Sequence, residues 1–295
     1  MKEYAALGLL AWYRNMIPAL LPFMIFSNLI LNLNLENRIL QPVYPFLEPV
    51  FRIKREMIFA ICIGFLCGFP MGSKVTCDLY RKKAITREEA QYLLSFTNNI
   101  GPVYYLSFVC PTLLPDKSLP FLLFVQFGIP LFYGLFLRYT VYGPKICHAN
   151  SSVFTVSKLS VPSLSLRTFA FALDDAINTG LLQIGSLGGY MILFNVLVWF
   201  PHSLLRNRPL AGLFCHMLLE ITGGLTEFEA LLSSGQISLS QRLLPVQAAL
   251  CLNGLCCLFQ TIRFLRGTDL SIKKYMLHKI ILCSITVLYL TLSVI

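Results

Sequence analysis

Lys74 and Glu220 are ionisable residues set in apolar sequence, each within a few positions of paired glycines: GFPMGSK (68–74) and LEITGG (219–224). A charge at membrane depth is costly unless paired or hydrated, so such a residue points first to a solute, ion or proton site. Two roles are open to the pair. In one, Lys74 meets a carboxylate on a solute while Glu220 helps hold a coupling cation, Na+ or H+. In the other, the two side chains form an ion pair that locks the glycine stretches together. A third charge, Asp78, is placed to pair with Lys74 or Arg81 in a structural role.

The same chemistry extends to uncharged residues. In TNNIGP (97–102), Pro102 removes a helix hydrogen bond and frees a carbonyl. Thr97, Asn98 and Asn99 exceed what one kink requires and, with Gly101, suit contact with a solute or ion. Later in the chain Thr222, Gly223, Gly224, Asn253, Gly254 and Gln260 are the counterparts, and Gly68, Pro70, Gly72 and Ser73 complete the candidate substrate lining. Other chemistries find no pattern. The histidines (148, 202, 216, 278) show no metal spacing, and His216 reads as a packed or backbone-bonded residue. The ten cysteines form no CxxC, so no metal or cofactor is expected. HExxH, GxSxG and clustered carboxylates are missing, which argues against an enzyme. Asp174-Asp175 with Asn178 reads as part of an amphipathic interfacial helix over 167–178, and PVYPFLEPVF (42–51) as a proline-broken interfacial segment.

Elements able to position these residues must be transmembrane. Hydrophobic residues make up 56% of the 295 and charged ones 13%, too little charge to cover a soluble surface. Uncharged windows at 15–35, 90–115, 118–137, 176–205, 243–262 and 280–295 approach or exceed the roughly 18 to 20 residues that cross a bilayer as helix. The sequence predicts an all-α polytopic membrane protein. A cleaved signal peptide is not expected, because the first segment outruns an h-region and further spans follow. The net charge of +10 comes from Lys and Arg at segment ends, which reads as positive-inside anchoring in the lipid bilayer and not as nucleic-acid binding.

The basic clusters RIKRE (52–56) and YRKKAITREEA (80–90) flank the first glycine stretch. A single crossing would put them on opposite faces, whereas a hairpin that dips in and turns at GFPMG puts both on the cytoplasmic side. Irregular backbone at such depth is tolerated only when buried in protein or facing a wet cavity. Shifted by 152 residues, 219–238 falls on 67–86 without a gap, Gly224 on Gly72 and Leu231 on Leu79. PFMIFSNLI (22–30) likewise resembles GYMILFNVL (189–197). The expected architecture is an inverted repeat with two re-entrant hairpins (56–82 and 209–234) and two broken helices (88–110 and 238–262). A first membrane repeat covers 1–140, a cytoplasmic linker 141–166 and a second repeat 167–295. The first connector holds Lys74, Arg81, Lys82, Lys83 and Arg87, while 225–240 holds no basic residue, as hairpins opening to opposite faces require. Crossings at 89–110, 119–138 and 179–200 then place the basic segments 138–167 and 263–274 inside, with both termini, Arg206 and Arg208 outside. The sequon at Asn150 falls inside and is discounted. Inverted halves with broken helices are the architecture of secondary carriers, and helices restarting after Gly72 and Gly224 would aim positive N-termini at an anion.

The run GFPMGSKVTCDLYRKKAITREEAQYLLSFTNNIGP (68–102) resembles the first-half signature of the YlbJ-type sporulation integral membrane proteins. LEITGG and LNGLCCLFQTIRFLRGTDLSIKKY (252–275) resemble their second-half signature, and the likeness covers nearly the whole chain. That family sits in the wider Gate or nucleoside-recognition group, similar in architecture to concentrative nucleoside transporters. The resemblance implies a carrier of dipicolinate, a small planar dianion, in the mother-cell-derived outer forespore membrane of an endospore former. A nucleoside-like cargo on the same fold, or a non-transport role in spore-envelope assembly, are the alternatives.

Overall fold

The computed structural model describes residues 1–33, 35–143, 146, 165–235 and 242–294, and every element among them is helical. Helix α1 (Lys2–Asn32) is followed by a single turn (Glu36–Ile39) and α2 (Tyr44–Phe51). Helices α3 (Arg55–Cys67) and α4 (Met71–Arg81) flank Gly68-Phe69-Pro70. Helix α5 (Arg87–Leu94) opens on a capping box between Thr86 and Glu89, residues 95–101 leave the helix, and α6 resumes over 102–113. Next come α7 (Leu119–Tyr139), α8 (Leu166–Leu204), α9 (Pro209–Leu219) and α10 (Ile221–Ser233). Helices α11 (Leu243–Leu252) and α12 (Gly254–Leu265) are separated by Asn253 alone, and α13 (Ile272–Val294) closes the chain.

Among the described residues, five segments are long and apolar enough to cross a membrane: α1, α7, α8, the run Leu243–Leu265 and α13. Their outward side chains, such as Phe132, Phe136, Leu182, Leu193 and Leu288, are exposed, as lipid-facing positions should be. The arms of the two hairpins are different. At about 1.5 Å per residue, helices of 11 to 13 residues fall well short of the roughly 30 Å hydrocarbon core.

The chain enters and leaves the first hairpin at one end, because Lys54 before α3 bonds Glu89 of α5 at 3.0 Å. That open end lies by the C-terminal end of α1, where Lys82 donates to Leu31 O at 3.2 Å. The tip, Cys67 and Phe69, faces the middle of α1 at Met16 to Phe23. The second hairpin meets the same midpoint from the other direction. Its tip residues Glu220 and Thr222 share a small void with Met16 and Phe69, and its open end, at Pro209, Gly212 and Glu227, lies by Met1, Glu3 and Tyr4. The hairpins therefore open toward opposite ends of α1.

Helices α1 and α8 pack antiparallel. Gly8 abuts Ile192, Trp12 donates to Ile184 O at 2.8 Å and covers Gly188, Ile25 covers Gly180, and Asn32 reaches Asp175 at 2.8 Å. Small residues let the two backbones approach closely. Helix boundaries also recur at one spacing. Cys67 and Leu219 end the first arms, Arg81 and Ser233 end the second arms, and Pro102 and Gly254 restart the broken helices, each pair 152 residues apart.

Two local expectations need correction. Residues 167–178 are not a separate interfacial helix but the first turns of α8, where Asp175 serves Asn32 and Asp174 accepts from Asn178. The hairpin helices restart at Met71 and Ile221, ahead of Gly72 and Gly224. The breaks are taken by Gly68, at φ +74°, and by extended Glu220, at φ −142°. Gly72 and Gly224 instead allow close packing: a Cβ on Gly72 would lie 2.4 Å from Thr97 O, and one on Gly224 2.7 Å from Met217 Cα. Most of the expected linker, including Asn150, lies outside the described residues.

Candidate functional site

The unwound stretch 95–101 lies against the first tip. Phe69 N donates to Asn99 O at 2.6 Å, Ser73 N reaches Asn98 Oδ1 at 3.4 Å, and Gly64, Gly68 and Gly72 leave no room for side chains between these backbones. Gly101 packs on Cys67 and Gly68, and Thr97 Oγ1 returns to Leu93 O at 2.8 Å. Asn98 joins the two halves. Its amide donates to Thr261 Oγ1 at 3.1 Å and Tyr275 OH at 2.9 Å, and its carbonyl accepts from Asn253 at 3.1 Å. Asn253 and Gly254 both adopt left-handed backbone, at φ 63° and 71°, which explains an Asn-Gly pair at the second break.

Lys279 of α13 completes this centre, and sequence reasoning missed it. Its buried ammonium lies 2.5 Å from Asn98 O and 3.1 Å from Asn99 Oδ1. Within KKYMLHK it passes for an anchor at a helix end. The available signal was the register Tyr275, Lys279, Leu282, which puts it on the buried stripe of α13.

Lys74 occupies a different place. It is 3% exposed, pairs with Asp78 at 3.0 Å and donates to Asn28 Oδ1. Asp78 also holds Arg81 at 3.1 Å. Lys74 lines a cleft of about 520 Å³ walled by Asn28, Asn32, Arg81, Lys82, Gln183 and Arg263. Four cations face one carboxylate there. Arg81 also donates to Phe264 O and Arg266 O, at the C-terminal end of α12, where a cation suits the helix dipole. Nearby, Tyr80 donates to Asp269 at 2.6 Å and Arg87 pairs with Asp269 at 2.8 Å. The Tyr80 hydrogen bond, backed by Arg87, holds the Asp269 carboxyl below the usual carboxylate range.

Glu220 does not meet Lys74, so the ion pair between the tips is not formed. Glu220 instead caps α10: it accepts from Thr222 N at 3.0 Å, Thr222 Oγ1 at 2.6 Å and Gly223 N at 2.7 Å, and from Asn195 at 3.3 Å. A carboxylate at a helix N-terminus is favoured by the dipole and by the free amides. With Gln260, whose Oε1 has no partner, it lines a void of about 10 Å³. The tips of the two hairpins are thus shut against each other. Pro70 is in the Phe69–Pro70 cis peptide at the first tip.

His202 and His216, far apart in sequence, converge on Glu227 within 4.8 Å, because α8, α9 and α10 meet at the open end of the second hairpin.

Over 312 aligned residues the chain is 26% identical to the curated sporulation integral membrane protein YlbJ of Bacillus subtilis (strain 168), covering 95% of this chain and 74% of that protein. The YlbJ-type resemblance holds along nearly the whole chain. No family model matches the chain. No solved structure matches it either. With five helices among the described residues able to span a bilayer and an integral membrane relative, the chain is a multi-pass helical membrane protein.

Proposed function

We propose that this chain is a secondary carrier for a small anionic solute, dipicolinate by its family resemblance, acting in the outer forespore membrane. The observation that carries the reading is the Lys74 cleft. A buried lysine with Arg81, Lys82 and Arg263 around a space of about 520 Å³ suits a planar solute bearing two carboxylates, which guanidinium groups bind through short, directional hydrogen bonds. A neutral nucleoside would leave that charge unused.

Alternating access is supported by the paired hairpins. They open toward opposite ends of α1, and the related helices α1 and α8 run antiparallel, as inverted halves with re-entrant hairpins require. Clefts of about 520 and 480 Å³ lie at the two ends of α1, and voids of only about 30 and 10 Å³ separate them at the tips. A solute passes when the tips part.

Coupling follows from Lys279. A carbonyl and an amide oxygen at a helix break are the ligands a coupling Na+ takes in such carriers. Here the Lys279 ammonium stands among them, so the reading is of flux independent of Na+ at this break.

The test is uptake of labelled dipicolinate by the purified full chain in proteoliposomes, with Na+ and proton gradients varied separately and a nucleoside run alongside. Saturable dipicolinate uptake that falls at least ten-fold in Lys74→Met is the expected result. Nucleoside uptake indifferent to that change would reassign the cargo, and no saturable flux of either solute would leave a scaffold.

A further inference from the structure

We infer that His202, His216 and Glu227 form a binding site for a divalent transition-metal ion of the Zn2+ class, at the opposite end of the molecule from the Lys74 cleft. The inference stands apart from transport. Three different elements supply the ligands: His202 near the end of α8, His216 in α9 and Glu227 in α10. Their ligand atoms all lie within 4.8 Å of one another. His216 Nδ1 is 2.6 Å and His202 Nε2 3.2 Å from the same oxygen, Glu227 Oε2.

Ligand atoms around a tetrahedral ion with bonds of about 2.0–2.1 Å are spaced about 3.4 Å apart. The trio therefore needs only small side-chain adjustments to admit an ion. His202 Nε2 is buried and makes no hydrogen bond despite its nearness to the carboxylate. A nitrogen so placed is available as a ligand. The rings of the two histidines stand 5.7 Å apart and nearly perpendicular, at 83°, so they approach the shared point from separate directions.

The donor set decides the metal class. Two imidazoles and one carboxylate suit Zn2+ and its neighbours, whereas Mg2+ and Ca2+ prefer all-oxygen cages. Three protein ligands leave a fourth position, and His202 and Glu227 line the cleft of about 480 Å³ that also holds Glu3, Tyr4 and Arg206. That cleft gives the ion a route of entry and room for a water or a second carboxylate. A bound ion would tie the second hairpin to α8.

The experiment titrates the purified full chain, tag removed and in detergent, with Zn2+ and separately with Co2+. The expected result is one tight Zn2+ per chain, not displaced by a large excess of Mg2+ or Ca2+, and a Co2+ spectrum of nitrogen and oxygen ligands without a thiolate charge-transfer band. Glu227→Gln and His202→Ala should each weaken Zn2+ binding by more than about 100-fold, beyond the 10–100-fold typical of outer-shell partners. His216→Gln keeps the buried volume and serves as the third variant, with thermal melting of each metal-free variant checking its fold. Zn2+ affinity unchanged in folded variants, a thiolate band from the cysteines, or Zn2+ bound no more tightly than Mg2+ would overturn the inference.

Discussion

At the scale of single residues, Lys279 and Glu220 have opposite tasks. Lys279 satisfies oxygens that the first helix break sets free; Asn98 O keeps Asn253 as a donor, but Lys279→Met leaves Asn99 Oδ1 without one in a buried place. An orphaned buried group costs about 1–3 kcal/mol, and a lower melting temperature in detergent is the expected outcome. In the unsubstituted chain, replacing Na+ by choline should leave the initial uptake rate within two-fold; a strict Na+ requirement would remove the tethered-cation reading. Glu220 is a helix cap, and Glu220→Ala should cost about 0.5–2 kcal/mol of stability by the same melting measurement. Asp269 gives a pH dependence whose sign is fixed. Its folded-state pKa lies below its ordinary value of 3.8, so the tether to Tyr80 and Arg87 adds stability above that value and loses it as pH falls through the lower folded value. Hydrogen-exchange protection factors over 264–271, corrected for the intrinsic pH dependence of amide exchange, should stay flat from neutral pH down to the carboxylate range and fall only below it.

At the scale of elements, the glycine positions are packing constraints before they are anything else. A Cβ on Gly64 or Gly72 would come within 2.5 Å of Thr97 O, and backbone cannot yield as a flexible side chain does. Overpacking of this kind costs about 1–3 kcal/mol or more. Gly72→Ala should therefore reduce the yield of folded protein in size-exclusion chromatography, even though the substitution favours helix. The second break behaves differently. Asn253 holds left-handed backbone, which costs a β-carbon residue about 1–2 kcal/mol and glycine almost nothing. Asn253→Gly should melt closer to the unsubstituted chain than Asn253→Ala, provided the lost bond to Asn98 O weakens both alike.

At the scale of the whole molecule, the opposed hairpins predict sidedness. Lys83 follows the open end of the first hairpin, and Arg206 lines the cleft at the open end of the second. Single cysteines at these positions in a cysteine-free background should react with an impermeant maleimide from opposite faces of the membrane. Labelling from the same face would end the inverted arrangement and with it the carrier proposal. Basic segments distant in sequence agree with this geometry: 80–87 and 264–271 are bound together through Tyr80, Arg81, Arg87 and Asp269.

Helix breaks were legible from the residues because their causes are local. Glycine at positive φ, proline without an N–H and asparagine in left-handed backbone act on their own turn of chain, and GFPMG, TNNIGP and LNG each interrupt a helix in the structure. Membrane class was equally legible, since apolar length is a property of a segment and not of its neighbours. Partner choice was not. Beyond the expected pairing of Asp78 with Lys74 and Arg81 inside α4, Lys74 finds Asn28 instead of Glu220, Lys279 reaches a carbonyl 181 positions away, and His202 finds His216 and Glu227. Those pairings depend on which face each helix turns toward the others, and only the packing of the assembled bundle decides that.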